Sequence, residues 1–379
     1  MMFDYETLRF IWWLLLGALL IGFAVTGGFD LGVAMLLPAL GKNDSERRVI
    51  INSIGATWEG NQVWFITGGG ALFAAWPIAY SVAFSGFYFA LLLTLVGLFM
   101  RPLGFDYRSK LPSLNWRQNW DRALFAGGFI PALIFGVAFG NLLLGVPFHL
   151  DNDMRIFYEG SFFGLLRPFA LLAGLLSVAM LVMHGAVYLQ LKTEGDINQR
   201  SKKAVSLFAA LTLVIFALAG VWVANSDGYQ ISSAIVHDAP SNPLIKTVQK
   251  APGLWLANYG EYPLLWLLPG LGFVMGAATL LLSKIDRPGL AFISSSLTLA
   301  AIILTAGTSM FPFLIPSSIA VNHSLTVWDA GSSLHTLKIM LGVTVVFLPI
   351  VLTYTAWVFR VLRGKITLEH IHANDHSLY

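Results

Sequence analysis

The sequence predicts an all-α, polytopic membrane protein: about nine transmembrane helices packed in bundles, forming a single integral membrane domain over residues 1–379. Three observations carry this. Hydrophobic residues make up 56% of the chain and charged residues only 11%, whereas soluble domains carry about a quarter charged residues. Apolar runs of about 20 residues recur from end to end, and each is long enough to cross a hydrocarbon core of roughly 30 Å. These runs are continuous and rich in Leu, Ala, Gly and Phe, unlike membrane β-barrels, whose strands of about ten residues alternate apolar with polar.

The helices are expected near residues 10–39, 50–73, 77–101, 121–146, 163–190, 204–225, 261–283, 289–312 and 335–360. The first is too long for a signal-peptide core, follows acidic Asp4 and Glu6 instead of a basic region, and shows no small-residue cleavage site, so it is expected to stay attached and span. The second is the least apolar, because Glu59, Asn61 and Gln62 interrupt ATWEGNQVWFITGGG; omitting it would leave eight spans. Charge distribution decides the count. With nine spans, one side receives GKNDSERR, RPLGFDYRSKLPSLNWRQNWDR, LKTEGDINQRSKK, SKIDRP and the tail from Arg360, which hold 17 of the 23 Lys and Arg residues. Omitting the second helix scatters these segments onto both sides. By the positive-inside rule the basic side is cytoplasmic, the N-terminus periplasmic and the C-terminus cytoplasmic, in a multi-pass inner-membrane protein. The formal charge of +3 is thereby explained by the lipid bilayer, and no nucleic-acid partner is expected. The longest outer loop, about residues 226–260, carries the turn signals NSDGY and APSNP and reads as an ordered cap. No sequence repeat of 20–50 residues and no low-complexity tract is seen.

The polar residues inside the spans carry the chemistry. Asn52, Gly55, Glu59, Gln62 and Ile66 follow a 3.6-residue period, which would place three polar groups on one face of the second helix. Glu59 and Asp30, the acid of TGGFDLG, are each about ten residues from the cytoplasmic end, so two acids on neighbouring helices are expected at one depth. An ionised group there costs about 3 kcal/mol or more and is expected to face the protein interior or water. Apolar surroundings disfavour an ionised carboxylate, and a second carboxylate disfavours it further, which is the chemistry of a proton relay. Arg101 and Asp106 of FMRPLGFDYRSK would form the polar entrance below, with Trp58 and Gln62 in support. The competing reading is that Glu59 or Asp30 forms a buried ion pair with Arg101 and moves nothing. Gly68, Gly69 and Gly70 read as close helix packing, not a phosphate loop. Trp58 and Trp64 read as packing or interfacial aromatics.

The chain has no cysteine and eight histidines, of which only His184 falls within a span, in LVMHGAVY. A membrane haem needs axial His, Met or Cys ligands, so no cofactor-binding or metal-ligating residue is assigned, and His184 reads as a hydrogen-bonded core histidine.

The stretches FDYETLRFIWWLL, GFDLGV, NDSERR, WEGNQVW, GGALFAAWP, FSGFYFALLL, RPLGFDYRSK, GVAFGNLLLGVPF, ILTAGTSMFPF, SLTVWDAGSS and HSLY, in this order, resemble subunit II of cytochrome bd quinol oxidase. The resemblance implies a heterodimer with a larger subunit I, which carries haem b and haem d with their ligands. It further implies quinol and O2 as substrates of the complex, small accessory membrane subunits as further partners, and a route bringing cytoplasmic protons to the oxygen-reducing site. Asp30, Arg101 and Asp106 match family positions. Glu59 stands where relatives commonly show Asp, and Gly27 where relatives often carry another acid, so no role of that acid transfers here. The expected function is that of a non-haem-ligating subunit of a water-forming quinol:O2 oxidoreductase, generating a proton motive force. The rivals are a proton-coupled secondary transporter, for which inverted repeats would be expected, and a purely structural scaffold subunit.

Overall fold

The computed structural model describes residues 4–367 together with 369 and 371. The terminal HSLY, His370, His372 and His376 lie outside the described residues. The helices are α1 (Tyr5–Leu40), α2 (Asp44–Gly55), α3 (Trp58–Ala75), α4 (Pro77–Gly86), α5 (Tyr88–Arg108), α6 (Leu114–Leu144), α7 (Pro168–Lys192), α8 (Gly195–Asn225), α9 (Ala257–Glu261), α10 (Leu267–Lys284), α11 (Pro288–Met310) and α12 (Leu334–Val361). Three short antiparallel hairpins join them: β1 (Phe148–Leu150) with β2 (Ile156–Tyr158), β3 (Asp227–Ile231) with β4 (Val248–Pro252), and β5 (Phe313–Ile315) with β6 (Leu325–Thr326).

Side-chain caps start the first two helices. The Asp4 carboxylate accepts from the Thr7 amide at 2.8 Å and the Asn43 side chain from the Glu46 amide at 2.8 Å, each satisfying a donor that has no intrahelical partner. Two of the expected spans are broken. The segment predicted as one helix over 50–73 is α2 and α3, interrupted at Ala56 and Thr57, and the one predicted over 77–101 is α4 and α5, interrupted at Phe87. Helix α5 runs about two turns further than expected, to Arg108, and α6 begins about two turns earlier, at Leu114.

Eight helices among the described residues are long and apolar enough to cross a membrane. The remaining passage is the broken, polar leg α2–α3. Contacts between connections sort the chain ends of these nine legs onto two ends of the molecule. At one end Arg108 holds Asp44 and Asp121, Glu46 holds Arg200, Lys202 holds Asp286, and the Lys192 ammonium donates to the Leu362 carbonyl. At the other, the Tyr5 hydroxyl donates to the Ser332 carbonyl at 2.6 Å, the Ser332 amide to the Ala75 carbonyl at 2.8 Å, and Trp76 Nε1 to the Val327 carbonyl. The leg α2–α3 therefore runs from the first end to the second. The hairpins and α9 sit at the second end and build the ordered cap that the turn signals predicted.

Helix α7 is the most buried element and packs against α1, α6, α8 and α11. It approaches α1 closely because Gly32 and Gly185 face each other: a Cβ on Gly185 would lie 2.6 Å from the Gly32 carbonyl carbon. Without a hydrophobic driving force between helices in lipid, such backbone proximity is what gives packing energy. Gly69 and Gly70, expected in that role, face open space instead. At the opposite extreme, α12 buries only Leu337, and its remaining apolar surface points outward.

Candidate functional site

Three helices meet at Asp30. It sits ten residues before the end of α1, about 15 Å from the end of the helix at 1.5 Å per residue. From the first turn of α3, Asn61 Nδ2 donates to Asp30 Oδ2 at 2.8 Å. From α5, Arg101 Nη2 faces the same oxygen at 3.9 Å, and both side chains of this pair are 0% exposed. The guanidinium fits because Gly127 on α6 has no side chain: a Cβ there would come within 2.9 Å of Arg101 Cγ. Arg101 also lies over the Trp58 ring at 5.6 Å, and Trp58 stacks on Phe105 at 5.2 Å. Trp58 thus lines the site as expected, by its ring face.

Arg101 is accordingly level with Asp30, not below it at a mouth, and of the two carboxylates considered for the ion pair it is Asp30 that forms it. Glu59 is exposed on the outer side of α3. The reason is geometric. The break at Ala56 and Thr57 resets the helical phase, so the inward face of α3 is centred on Asn61, and a residue two positions earlier is turned by about 200° away from it. Asp106 is likewise exposed, near the end of α5. Gln62 is half-buried, and its Nε2 has no hydrogen-bond partner among the described residues. The sequence-predicted residues therefore divide: Asp30, Arg101 and Trp58 come together, while Glu59 and Asp106 do not join them. Asn61 was the residue missed as a site member, although its polar amide beside Glu59 was visible in the sequence.

Several buried polar atoms at the site are unsatisfied. Asp30 Oδ1 and all three guanidinium nitrogens of Arg101 lack hydrogen-bond partners among the described residues, in a medium where such groups are ordinarily paired. Nearby, the Tyr188 hydroxyl donates to the Ser53 carbonyl at 2.9 Å and the Tyr188 ring stacks on Phe29 at 4.0 Å. His184 is fully buried; its Nε2 bonds the Val25 carbonyl at 2.9 Å and its Nδ1 the Ser295 hydroxyl at 2.7 Å. A carbonyl only accepts, so Nε2 carries a proton, while the Ser295 hydroxyl lies within hydrogen-bond distance of both Nδ1 and the Phe292 carbonyl, at 2.7 and 2.9 Å.

A second ionic cluster closes the basic end. Arg108 Nε contacts Asp121 Oδ1 at 2.6 Å and Arg108 Nη2 contacts Asp44 Oδ1 at 2.9 Å; Arg47 adds a contact to Asp121 at 2.8 Å and Arg117 one to Asp44 at 2.5 Å. NDSERR, FDYR and NWRQNWDR thus form one staple joining the starts of α2 and α6 to the end of α5.

Fold and site together define a multi-pass helical membrane protein with two buried acid–guanidinium contacts among the described residues, Asp30–Arg101 within the bundle and Asp121–Arg108 at the basic end, and a further carboxylate displayed on its outer surface. The family model for cytochrome bd terminal oxidase subunit II matches residues 8–362, and the chain belongs to that family. It is 56% identical over 379 residues, covering all of both chains, to cytochrome bd-I ubiquinol oxidase subunit 2 of Escherichia coli K12. A probable cytochrome oxidase subunit 2 of Haemophilus influenzae is 53% identical over 378 residues, again covering both chains completely. The cytochrome bd ubiquinol oxidase subunit 2 of Bacillus subtilis is 31% identical over 366 residues, 95% of this chain and 97% of that one. The structure of bd oxidase from Geobacillus thermodenitrificans contains a chain of the same fold, with a TM-score of 0.67 at 15% identity, over 94% of this chain and 99% of the other. The protein is a subunit of an oxidoreductase complex and a multi-pass inner-membrane protein.

Proposed function

We propose that this chain completes the fold of a haem-bearing subunit I and supplies part of the route by which cytoplasmic protons reach the oxygen-reducing site of a quinol oxidase. The observation that carries this reading is the position of Glu59. It stands in the first turn of α3, beyond the twelve-residue α2 and about 22 Å of helical rise from the start of that helix, level with buried Asp30, yet it is exposed beside outward-facing Val63 and Ile66. A carboxylate at that depth is too costly to leave against hydrocarbon. Its surroundings in the assembled enzyme are the partner subunit, to which it presents a proton-accepting group. Asp30, level with it and held by Asn61 and Arg101, is the inner acid of the route, and exposed Asp106 marks its entrance.

The basic loops place the end bearing Arg47, Arg108 and Arg200 in the cytoplasm, with the N-terminus periplasmic and the C-terminus cytoplasmic. Haem b and haem d supply electron transfer and O2 reduction when bound in the complex. His184, buried within α7, does not fit an axial ligand because both its ring nitrogens are already engaged, so the haems are assigned to the partner.

Glu59→Gln tests the reading. It removes the proton and preserves shape, so the complex is expected to assemble with normal haem content and to lose most of its turnover, while Glu59→Asp keeps substantial activity. Full haem with full turnover in Glu59→Gln refutes the relay. Loss of haem in parallel with turnover assigns Glu59 to subunit assembly instead.

A further inference from the structure

We infer that Asn61 is a positioning residue that determines which oxygen of Asp30 carries the relayed proton. The inference rests on the relay reading above and adds an atom-level assignment to it. The two carboxylate oxygens of Asp30 are inequivalent. Oδ2 accepts the Asn61 amide proton at 2.8 Å and is also the oxygen facing Arg101 at 3.9 Å. Oδ1 has no hydrogen-bond partner among the described residues and no solvent contact. A proton placed on Oδ2 would be directed at an amide donor and a guanidinium, neither of which can accept it. A proton on Oδ1 meets no such conflict, and leaves Oδ2 as the carbonyl oxygen that still accepts from Asn61. Tyr188, the other buried hydroxyl close by, already donates to the Ser53 carbonyl, which commits its proton elsewhere.

Asn61 can impose this choice because it is itself fixed. It is 3% exposed, lies in the first turn of α3, and its backbone N–H donates to the Thr57 carbonyl at 3.0 Å. The interruption at Ala56 and Thr57 thus has a role in the site: an unbroken continuation of α2 would set a different face of this segment against α1. Oδ1 is thus the oxygen that holds the proton in the protonated carboxyl, and the Asn61 amide keeps Oδ2 as the hydrogen-bond acceptor.

Reaction-induced infrared difference spectra of the intact oxidase complex test this. The C=O band of protonated Asp30 is identified by its disappearance in the double variant Asp30→Asn/Arg101→Gln, which leaves no buried unpaired charge. In Asn61→Leu the carbonyl at Oδ2 loses its donor, so the Asp30 band is expected to move to higher frequency at unchanged haem content. Turnover is expected to fall roughly tenfold, the scale of one lost charge-assisted hydrogen bond. If the leucine variant loses haem, Asn61→Ala, which also lacks a donor but adds no bulk, is read instead, with the same shift expected. An Asp30 band that stays at its wild-type frequency in the variant that assembles overturns the role of Asn61 and leaves the relay standing. The absence of any Asp30 band from the wild-type spectrum overturns the relay through Asp30 and this assignment together.

Discussion

Arg101 and Asp30 face each other at 3.9 Å with neither side chain reaching solvent. The two partners differ in how they respond to losing the other. A guanidinium cannot shed its charge in a protein, whereas a carboxyl relieves its isolation by taking up a proton. Breaking a buried pair by removing one member costs about 3–5 kcal/mol, and here the cost falls chiefly on the variant that strands the arginine. Asp30→Asn is therefore expected to reduce assembled, haem-containing complex sharply, and Arg101→Gln to reduce it less. The double variant should assemble better than Asp30→Asn alone while lacking turnover. Thermal stability and haem per complex, measured on all four forms, check this; strictly additive losses would show that the two side chains do not act as a pair.

Much of this arrangement was legible in the sequence. The apolar runs and the one-sided distribution of Lys and Arg led to nine legs, and the contacts at Arg108, Glu46 and Lys192 place their ends accordingly. Asp30 and Arg101 were recognisable as charges too costly to be incidental. The inward partner on α3 was not recognisable, because periodicity was carried unbroken from Asn52 to Ile66 whereas the helix restarts at Trp58. Thr57 makes no side-chain cap bond and GATW contains no proline, so nothing local announced the interruption. An unbroken period turns Glu59 inward and Asn61 away, whereas the restart of α3 does the reverse. The reach of α5 to Arg108 was missed for a different reason: the polar last turns are stabilised by the distant acids Asp44 and Asp121, a contact between segments that hydropathy cannot register.

At the outer cap, His323 Nδ1 accepts the Leu150 amide proton at 3.1 Å and so pins β1 to the loop before β6. Burial, reinforced by His149 and Lys246, holds the imidazole below its ordinary value of 6.5. The unfolded chain then binds a proton more readily than the folded one as the pH falls through 6.5, so this contribution to stability is present above that pH and is lost below it. Thermal unfolding of the complex is expected to shift to lower temperature with acidification. In His323→Asn, whose amide oxygen accepts at any pH, that dependence should flatten. An unchanged pH slope in the variant would remove His323 as its source.

Orientation is tested by accessibility. Lys202 lies at the basic end, where it holds Asp286, and Asp153 and Asn242 lie in connections at the opposite end. Cysteines introduced singly at these positions, in a chain that has none of its own, should be labelled by a membrane-impermeant reagent in intact cells at 153 and 242. At 202 labelling is expected only after the cells are opened. The reverse pattern would invert the topology and place the entrance at Asp106 on the wrong side for cytoplasmic protons.

His184 permits a test of where the haems are held. Its Nε2 donates to the Val25 carbonyl of α1 and its Nδ1 is hydrogen-bonded to the Ser295 hydroxyl of α11, while Phe292 stacks on the ring at 4.7 Å. These contacts make it a cross-brace between α1, α7 and α11, with both ring nitrogens engaged. Glutamine offers one donor and one acceptor of its own, so His184→Gln in the intact complex is expected to leave haem content and the Soret spectrum unchanged. His184→Leu removes both cross-helix hydrogen bonds, to the Val25 carbonyl and the Ser295 hydroxyl, at a cost of about 1 kcal/mol each, and should lower thermal stability without changing the spectrum of the complex that remains. A Soret shift or stoichiometric loss of one haem in His184→Gln would make this histidine a ligand and contradict the assignment of the haems to the partner subunit.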